Sequence, residues 1–359
     1  MERDTPSPSA TLGIVVVTFD AREIILDCLE SLLGSRGVRL RIVVVDNGSG
    51  DGTPGTIRDW AANGREAPPA GGPVPIAPAV APFLADTPEE MAAASGHALQ
   101  LVETGRNTGF AGGVNAGLAE LARIEGIDRF WILNPDSVVP PDTARAFATH
   151  PAPVEGFSLM GGRVLYYDRP EMIQIDGGTI DRRTGITGNV NLFAPHAETP
   201  PADPAGMDFI TGASMVASRR FYEEVGPLRE DYFLYYEEVD WALRRGDLPL
   251  AYCPEAVVYH RAGTAIGSAT HSRPPSPFSL YFKHRARLMF LRRFFAGSLA
   301  TGQAYSLAKA GQYLAKGYPA EARALLAGAF GRPPSATVAG RLDPSAREIL
   351  ARHRKGASA

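Results

Sequence analysis

The sequence predicts an α/β fold built on a mostly parallel central sheet, and three observations support this prediction. Two unbroken apolar runs, residues 12–17 and 42–45, each end in a polar residue, as strands buried on both faces of a parallel sheet do. A helical pattern over residues 23–33 separates them, which makes a βαβ unit. The chain has 359 residues, 45% of them hydrophobic, which suffices for one large domain with additional elements.

The next segments continue this alternation. Residues 99–102 predict a short strand, residues 111–124 a helix and residues 130–133 a third clear strand. Ligands of open, mostly parallel sheets bind beyond the carboxyl ends of the strands. Three polar residues fall at such ends, namely Thr18, Asp46 and Asp136. We therefore expect the ligand-binding site at this edge of the sheet.

The rest of the chain has a different pattern. Residues 63–96 are rich in Pro, Ala and Gly and predict a flexible surface insertion. Short strands and turns follow residue 161, with helices at about residues 219–224 and 238–245, and the chain becomes helical and basic beyond residue 281. We expect a disordered segment over residues 1–10, one catalytic domain over residues 11–295, and a helical tail over residues 296–359 with a disordered end.

Composition excludes several classes of protein. The formal net charge is −3, so the chain lacks the basic field that nucleic-acid binding usually needs. Cys28 and Cys253 lie far apart without zinc-ligand spacing, which predicts two core residues in a reducing compartment. The polar amino terminus carries no secretory signal, and no segment is apolar enough to cross a membrane. These features predict a cytoplasmic protein.

The strand end formed by Asn134, Pro135 and Asp136 is the first candidate for chemistry. A carboxylate at this position is able to hold a divalent cation that bridges the oxygens of a diphosphate. Taken alone, however, an Asp after a strand is more often a turn residue or a helix N-cap. The interpretation therefore depends on the motifs that accompany it.

Several motifs follow one another along the chain. They are residues 44–49 (Val-Val-Asp-Asn-Gly-Ser), 107–115 (Asn-Thr-Gly-Phe-Ala-Gly-Gly-Val-Asn), 133–136 (Leu-Asn-Pro-Asp), 209–215, 233–240, 258–260 and 285–291. Each motif alone is weak, but the ordered series is specific and covers roughly residues 12–293. The series resembles family 2 glycosyltransferases, and in particular bacterial rhamnosyltransferases of the cell-wall and polysaccharide type.

The resemblance implies the GT-A fold, with a nucleotide-sugar-binding half over residues 11–140 and an acceptor-binding half over residues 141–295. It also implies that Asp46 binds the base of the nucleotide, although an Asp in this sequence is equally typical of an Asx-turn. The glycines of the second motif either let the backbone approach a ligand or form a tight strand-to-helix turn. The implied donor-binding residues are Thr18, Asp46, Arg106, Asn107, Gly109, Asn115, Asn134 and Asp136.

The resemblance further implies a metal site for Mg²⁺ or Mn²⁺ with Asp136 and His260 as ligands. The family's metal motif usually has an Asp at each end, and Asn134 replaces the first one here. One carboxylate remains, which predicts modest metal affinity. Without the resemblance, His260 is more typical of a hydrogen-bonded structural histidine.

An inverting transfer is a single displacement that needs a base to remove the proton of the acceptor hydroxyl. The resemblance gives this role to Glu238, the second acid of the pair it forms with Glu237. Carboxylates are also favoured in the first turn of any helix by the helix dipole. Further residues assigned to the acceptor or to orientation are Asp240 and Arg244, four apart on one helix face, and Trp241, either a core residue or a sugar platform.

The resemblance suggests dTDP-rhamnose as donor, or another dTDP- or UDP-sugar, and as acceptor a glycan or a polyprenyl-diphosphate-linked saccharide. Residues 283–293 carry five Lys and Arg residues. They are either a solvated basic face or a surface for the acceptor diphosphate and the anionic inner leaflet of the membrane, with Phe290, Phe294 and Phe295 at the interface.

Two other functions are alternatives to glycosyl transfer. An NAD(P)-dependent Rossmann oxidoreductase requires a GxGxxG turn after the first strand, and the chain has Phe19, Asp20 and Ala21 there instead. A non-catalytic nucleotide-sugar-binding module needs no acidic residues at a displacement site, whereas Glu237 and Glu238 are both present.

Overall fold

The computed structural model describes residues 10–65, 71–76, 82–261, 275–344, 346–348 and 350. The strands are β1 (Thr11–Thr18), β2 (Arg39–Asp46), β3 (Phe83–Ala85), β4 (Ala98–Glu103), β5 (Arg129–Leu133), β6 (Ser137–Val138), β7 (Leu159–Tyr166), β8 (Ile173–Ile175), β9 (Gly178–Asp181), β10 (Ile186–Asn189), β11 (Ser214–Ser218) and β12 (Ala251–His260). The helices are α1 (Ile25–Leu33), α2 (Thr53–Asn63), α3 (Pro88–Ala93), α4 (Gly109–Ala122), α5 (Thr143–Thr149), α6 (Arg219–Val225), α7 (Glu237–Leu243), α8 (Pro277–Phe294), α9 (Leu299–Ala315), α10 (Pro319–Ala329) and α11 (Ala336–Ala339).

The central sheet has the strand order β3-β4-β2-β1-β5-β11-β7-β12-β6, with β8 paired to β7. The first five strands of this order are parallel to one another, and β11 is antiparallel to both β5 and β7. Since β12 is parallel to β7, its carboxyl end lies at the same edge as those of β1, β2 and β5. Helices flank the sheet, so the predicted α/β fold with its mostly parallel sheet is confirmed.

Two hydrophobic clusters cover the two faces of the sheet, and β1 contributes to both. Val15 and Val17 pack on one face with α4 and the carboxyl-terminal helices, whereas Ile14 and Val16 pack on the other with α1 and α2. This explains why the strand is an unbroken apolar run. Each fully buried aliphatic side chain contributes about 1.5–3 kcal/mol to folding, so the sheet provides a rigid base for the loops at its carboxyl edge.

The prediction of a flexible surface insertion over residues 63–96 is wrong for its second half. Strand β3 pairs in parallel with β4 at the edge of the sheet, and Met91 of α3 is fully buried. The hydroxyl of Thr87 accepts a hydrogen bond from the backbone N–H of Glu90 and caps α3, and Pro88 follows it in the first turn. This capping sequence was a signal for a helix. Residues 66–70 and 77–81 of the insertion lie outside the described residues.

Helices α8 to α11 form the helical carboxyl-terminal region, in agreement with the predicted helical tail. The segments expected to be disordered at the two ends, residues 1–9 and 351–359, lie outside the described residues. Among the described helices, none combines the length and the apolar character needed to cross a bilayer. Both cysteines are buried and unpaired, as the sequence predicts.

Candidate functional site

A cavity of about 490 Å³ opens at the carboxyl edge of the sheet. It lies where the loops after β1, β2 and β5 meet the end of β12, and α4 and the carboxyl-terminal region close its other side. Of the predicted site residues, Asn107, Gly109, Asn134, Asp136 and His260 line it. The remaining lining residues are Val17, Phe19, Asp20, Ala21, Ile24, Asn47, Phe110, Pro135, Phe233, Leu234, Phe278, Arg341 and Leu342.

The short pairing of β6 with β12 brings the two predicted metal ligands together. Ser137 pairs with His260, and the backbone N–H of Arg261 donates to the carbonyl of Asp136 at 3.0 Å. As a result, Oδ1 of Asp136 lies 3.1 Å from Nε2 of His260, although the two residues are more than a hundred positions apart in the chain. The amide nitrogen of Asn134 lies 3.2 Å from the same imidazole nitrogen.

The imidazole of His260 is oriented by Gln174 of β8. Oε1 of Gln174 is 2.7 Å from Nδ1 of His260, and an amide oxygen only accepts, so Nδ1 donates to it. This contact directs Nε2 toward the carboxylate of Asp136. Adjacent ligands of an octahedral cation at about 2.1 Å lie roughly 3 Å apart, which fits the observed separation. The residues therefore fit a divalent cation, and a second-sphere partner for a ligating histidine is the usual arrangement.

Thr18 and Asp46 lie side by side at the ends of β1 and β2, where they are register partners. Both are buried, yet Oγ1 of Thr18 and Oδ1 of Asp46 have no hydrogen-bond partner among the described residues. The other carboxylate oxygen of Asp46 accepts from the backbone N–H groups of Gly48 and Ser49 at 3.1 and 3.0 Å. Asp46 thus forms the Asx-type turn and also retains an unpaired oxygen, and such orphan atoms need a partner such as a ligand.

Asn47 ties the loop after β2 to the start of α4. Its amide nitrogen donates to the carbonyl of Gly109 at 2.9 Å, and its oxygen accepts from the backbone N–H and the hydroxyl of Thr108. Gly109 has φ = 77°, and a Cβ at this position would lie 2.5 Å from the carbonyl oxygen of Phe233. Only glycine therefore fits between the nucleotide-side loop and the segment that precedes α7.

That segment is strained. Phe233, Tyr235 and Tyr236 all have φ near 70°, a region that non-glycine residues rarely occupy and that costs about 1–3 kcal/mol each. Packing maintains the strain, because Phe233 and Tyr236 are buried and the hydroxyl of Tyr236 donates to the carbonyl of Gly185 at 2.6 Å. The segment ends at Glu237 and so fixes the position of the glutamate pair.

The two glutamates differ in environment. Glu237 is buried, and one of its oxygens has no partner among the described residues. Burial, followed by the charge of Glu238, raises the pKa of Glu237 well above its ordinary value. Burial raises the pKa of Glu238 to about 6, against the opposing effects of backbone N–H groups in the first turn of α7 and of the Lys283 charge.

Neither glutamate lines the cavity itself. Glu238 instead lies beside the loop that follows Thr211, because a Cβ on Gly212 would be 3.8 Å from that of Glu238. The same added atom would lie 3.4 Å from Phe110, which does line the cavity. Glu238 is thus one side chain removed from the cavity, and unlike Glu237 it is only half-buried.

The other three residues assigned to the acceptor side belong to the protein framework. Asp240 is fully buried and accepts from the Tyr232 hydroxyl at 2.9 Å and from Nε of Arg244 at 2.7 Å, so the expected ion pair along α7 is present. Trp241 is fully buried, donates to the carbonyl of Gly226 at 2.9 Å and packs against Phe221. Of its two interpretations, the geometry favours the core residue over the sugar platform.

Four of the eight predicted donor contacts do not line the cavity, namely Thr18, Asp46, Arg106 and Asn115. Asn115 uses its amide nitrogen for the carbonyl of Leu228 and a carboxylate oxygen of Glu230, both at 2.9 Å, and its oxygen for the N–H of Leu228. Its polar groups are occupied in joining α4 to the loop before the strained segment, so it is not free to bind a nucleotide. Arg106 is exposed and lies outside the cavity lining, with its backbone packed against Gly48.

The proposed basic contact surface on α8 is also corrected. Arg285 is buried and donates to the carbonyls of Asp231 and Tyr232, and buried Arg287 donates to those of Thr184 and Gly302. Phe290 is fully buried, and Phe294 and Phe295 pack against the same core as half-buried residues. Their donors and rings stabilise the fold, which takes these five residues out of the predicted surface. Lys283 and Arg292 of the same run are exposed.

Sequence reasoning missed four polar residues of the site. Asp20 and Asn47 were visible just after the predicted strands β1 and β2 but unassigned, and this position was their only sequence signal. Gln174 carries no sequence signal, because its role depends on the pairing of β8 with β7. Arg341 lies about eighty residues beyond His260, in the predicted tail, and only the tertiary structure brings it to the cavity wall.

Comparison with known proteins finds similarity to glycosyltransferases. Residues 13–68 match the family model described as Glycosyl transferase family 2. A curated relative, the low-salt glycan biosynthesis hexosyltransferase Agl10 of Haloferax volcanii, is 24% identical over 209 residues, which are 56% of this chain. The match spans 62% of the length of that relative.

Solved structures with a similar outline include the mannosyltransferase PcManGT of Pyrobaculum calidifontis in complex with GDP-Man and Mn²⁺. It is 18% identical, with a TM-score of 0.49, and the match covers 99% of this chain and 82% of that one. TarS of S. aureus, residues 1–349, is 12% identical, with a TM-score of 0.42 and a match over 78% of this chain and 64% of that one.

Proposed function

We propose that this chain, a member of glycosyltransferase family 2, transfers a sugar from a nucleoside diphosphate donor to a hydroxyl group by a single inverting displacement. The observation that carries the proposal is the cavity at the carboxyl edge of the sheet, with Asp136 and His260 at 3.1 Å in its wall. The unpaired atoms of Thr18 and Asp46 lie at the neighbouring strand ends and suit the base of the nucleotide.

A divalent cation, Mg²⁺ or Mn²⁺, would be held by Asp136 and His260. When bound, it would neutralise the charge that develops on the departing diphosphate. Gln174 orients the imidazole of His260 so that Nε2 is directed toward Asp136. With a single carboxylate in the set, the site would bind the cation less tightly than one with two.

Glu238 is our candidate for the base that takes the proton of the acceptor hydroxyl. It is half-buried beside the cavity wall, whereas Glu237 is buried, with a pKa raised further by its neighbour. A pKa of about 6 leaves Glu238 ionised and yet a useful base at neutral pH. Glu237, which is buried next to it in the first turn of α7, then serves as a positioning residue.

For the donor we propose dTDP-rhamnose, or another dTDP- or UDP-sugar, on the resemblance of the motifs to rhamnosyltransferases. The acceptor would be a glycan or a polyprenyl-diphosphate-linked saccharide. The oxidoreductase alternative is not supported, because the turn after β1 lacks the glycine pattern that a pyrophosphate of NAD(P) needs. A protein that binds donor without turning it over is the remaining alternative.

A panel of nucleotide sugars incubated with the protein, an acceptor glycan and Mg²⁺ or Mn²⁺ tests the proposal, with release of nucleoside diphosphate as the measured quantity. Release from one donor, abolished by EDTA and restored by the cation, is the expected result. Tight binding of donors without release under any of these conditions would support the binding module instead.

A further inference from the structure

We infer that Arg341, contributed by the carboxyl-terminal region, binds the diphosphate of the donor, and this inference rests on the proposed function. The cavity lining contains four formally ionisable side chains, those of Asp20, Asp136, His260 and Arg341. Among the described residues of this lining, Arg341 is the only Lys or Arg. It is therefore the permanent positive charge that the wall of the cavity offers to a ligand.

The charge is needed because a nucleoside diphosphate is strongly anionic and the metal site has one carboxylate and a neutral imidazole. The basic residues of α8 and the Arg that follows His260 do not supply it. Arg285 and Arg287 are buried and donate to backbone carbonyls, and Arg261 donates to the carboxylate of Asp27 at 2.7 Å. Arginine is suited to the role because its planar group binds two phosphate oxygens at once.

Arg341 is held in place without using its donors. Its guanidinium lies over the ring of Phe278, 4.7 Å from the ring centre, and makes no hydrogen bond or ion pair with other described side chains. A cation stacked on an aromatic ring is oriented by it, while its N–H groups remain free in the plane of the group. The side chain is exposed toward the cavity, so a ligand is able to reach it.

The surrounding segment docks as a structured part of the protein. Val338, Leu342, Ala346 and Leu350 recur every four residues, and all are buried. They pack in one cluster with Phe233, Phe278 and Phe282, so the strained segment before α7 and the amino-terminal end of α8 support the same cluster. The region containing α11 is therefore a wall of the donor site, and the position of Arg341 is coupled to that of the glutamate pair.

The test is calorimetric titration of UDP, dTDP, uridine and thymidine into the wild-type chain and into Arg341→Ala, Arg341→Lys and Arg347→Ala. Arg347 is the matched control, since it lies on the same segment, is exposed, and donates to the carbonyl of Ala339 outside the cavity lining. We expect Arg341→Ala to weaken nucleoside diphosphate binding about 10–100-fold and Arg341→Lys to weaken it less. Nucleoside binding in these variants, and all binding in Arg347→Ala, should match the wild type.

Equal diphosphate affinities in the wild type and Arg341→Ala would overturn the inference, while a wild type that binds neither nucleotide would overturn the proposed function itself. A diphosphate-linked acceptor is a second source of the same chemistry. If Arg341→Ala raised the KM for such an acceptor and left UDP and dTDP affinity unchanged, the assignment to the donor would be wrong. Equal loss of nucleoside and nucleoside diphosphate binding would also overturn it, because a collapsed wall, not a lost charge, explains that result.

Discussion

The strand ends that carry Thr18 and Asp46 and the helix start that carries Asp240 both bury acidic or polar groups, but in opposite ways. Asp46 has one oxygen bonded to backbone N–H groups and one without a described partner. Asp240 receives the hydroxyl of Tyr232 and the guanidinium of Arg244, and Arg229 lies 3.4 Å away. A buried acid with an unpaired oxygen is a candidate for ligand binding, whereas a fully paired acid is part of the framework.

Glu237 and Glu238 share features with both Asp46 and Asp240. They follow the strained segment in the framework region, yet an oxygen of Glu237 is unpaired and the pKa of both is raised. Buried, like-charged pairs with raised pKa values are typical of functional sites. The comparison therefore predicts that substitutions on the ligand side change binding or turnover, and that substitutions in the framework change stability.

The largest expected effect is on turnover. Replacing Glu238 with glutamine should lower kcat by about 10²–10⁴-fold, the usual contribution of a general base, while donor affinity stays near the wild-type value. Single-turnover kinetics with saturating donor and a titration of the nucleoside diphosphate measure the two quantities. Glu237→Gln is the matched variant, and a larger loss of kcat there than in Glu238→Gln would reverse the assignment of the base.

The second effect is on stability. Asp240→Ala removes a fully buried carboxylate that accepts from half-buried Arg244 and from the Tyr232 hydroxyl, so we expect the free energy of unfolding to fall by about 2–3 kcal/mol. Urea denaturation followed by circular dichroism measures it. The control is Glu224→Ala, which removes an exposed pair with Arg220 and should cost less than about 1 kcal/mol. A similar loss in both variants would mean that Asp240 is not the centre of the framework.

The third effect is on nucleotide affinity. Asp46→Ala removes the unpaired oxygen, and loss of a hydrogen bond to a charged group should weaken UDP or dTDP binding about 10–100-fold. Calorimetry is the measurement, on protein whose unfolding curve has been checked, because Asp46 also supports the turn at Gly48. Asp51→Ala is the control. The carboxylate of Asp51 accepts hydrogen bonds from the backbone N–H and the hydroxyl of Thr53 in the adjacent loop. Unchanged affinity in Asp46→Ala would remove Asp46 from the nucleotide site.

The fourth effect is on cation affinity. Gln174→Leu removes the acceptor that orients His260, and loss of such an outer partner should weaken Mn²⁺ binding about tenfold or somewhat more. Electron paramagnetic resonance of free Mn²⁺ during titration measures this without any turnover. Gln174→Glu keeps an acceptor at the same place and should retain most of the affinity. If both variants bound Mn²⁺ with wild-type affinity, the contact between Gln174 and His260 would not contribute to cation binding.

The smallest effect is the dependence of kcat on pH. A base must be deprotonated to accept a proton, and the raised pKa of Glu238, about 6, places its protonation within an accessible range. Below pH 6 we expect kcat to fall about tenfold per pH unit, with a plateau above it. A profile of kcat at saturating donor checks this. A flat profile down to pH 5 would indicate that another group accepts the proton.

Some strands of the sheet could be predicted from the sequence and others could not. Strands β1 and β2 were visible because each is buried on both faces and therefore apolar throughout. Strand β3 is three residues long, and β12 contains Pro254, so neither has a readable period. For the site, the strand ends at Asp46 and Asp136 followed from the same rule about carboxyl edges, whereas the partners Gln174 and Arg341 depend on pairings between distant segments.

Arginine shows most clearly where reasoning from sequence fails. Five Lys and Arg residues in residues 283–293 predicted a basic surface, but Arg285 and Arg287 point inward and satisfy carbonyls of the strained segment and its neighbours. A run of charged residues in a helix does not show which face of the helix is buried when other segments of the chain pack on several sides of that helix. A single Arg in an unremarkable tail, Arg341, is the one that reaches the cavity.

The sequence by itself determined the fold class, the edge of the sheet at which the cavity opens and the ordered motifs that resemble family 2 glycosyltransferases. It did so because burial on both faces of a strand and the need for polar residues at strand ends are local constraints. Only the tertiary structure decided which polar atoms remain unpaired, how His260 is oriented, and which arginine faces the cavity. These depend on contacts between segments that lie from about sixty to more than a hundred residues apart, and local patterns carry no record of them.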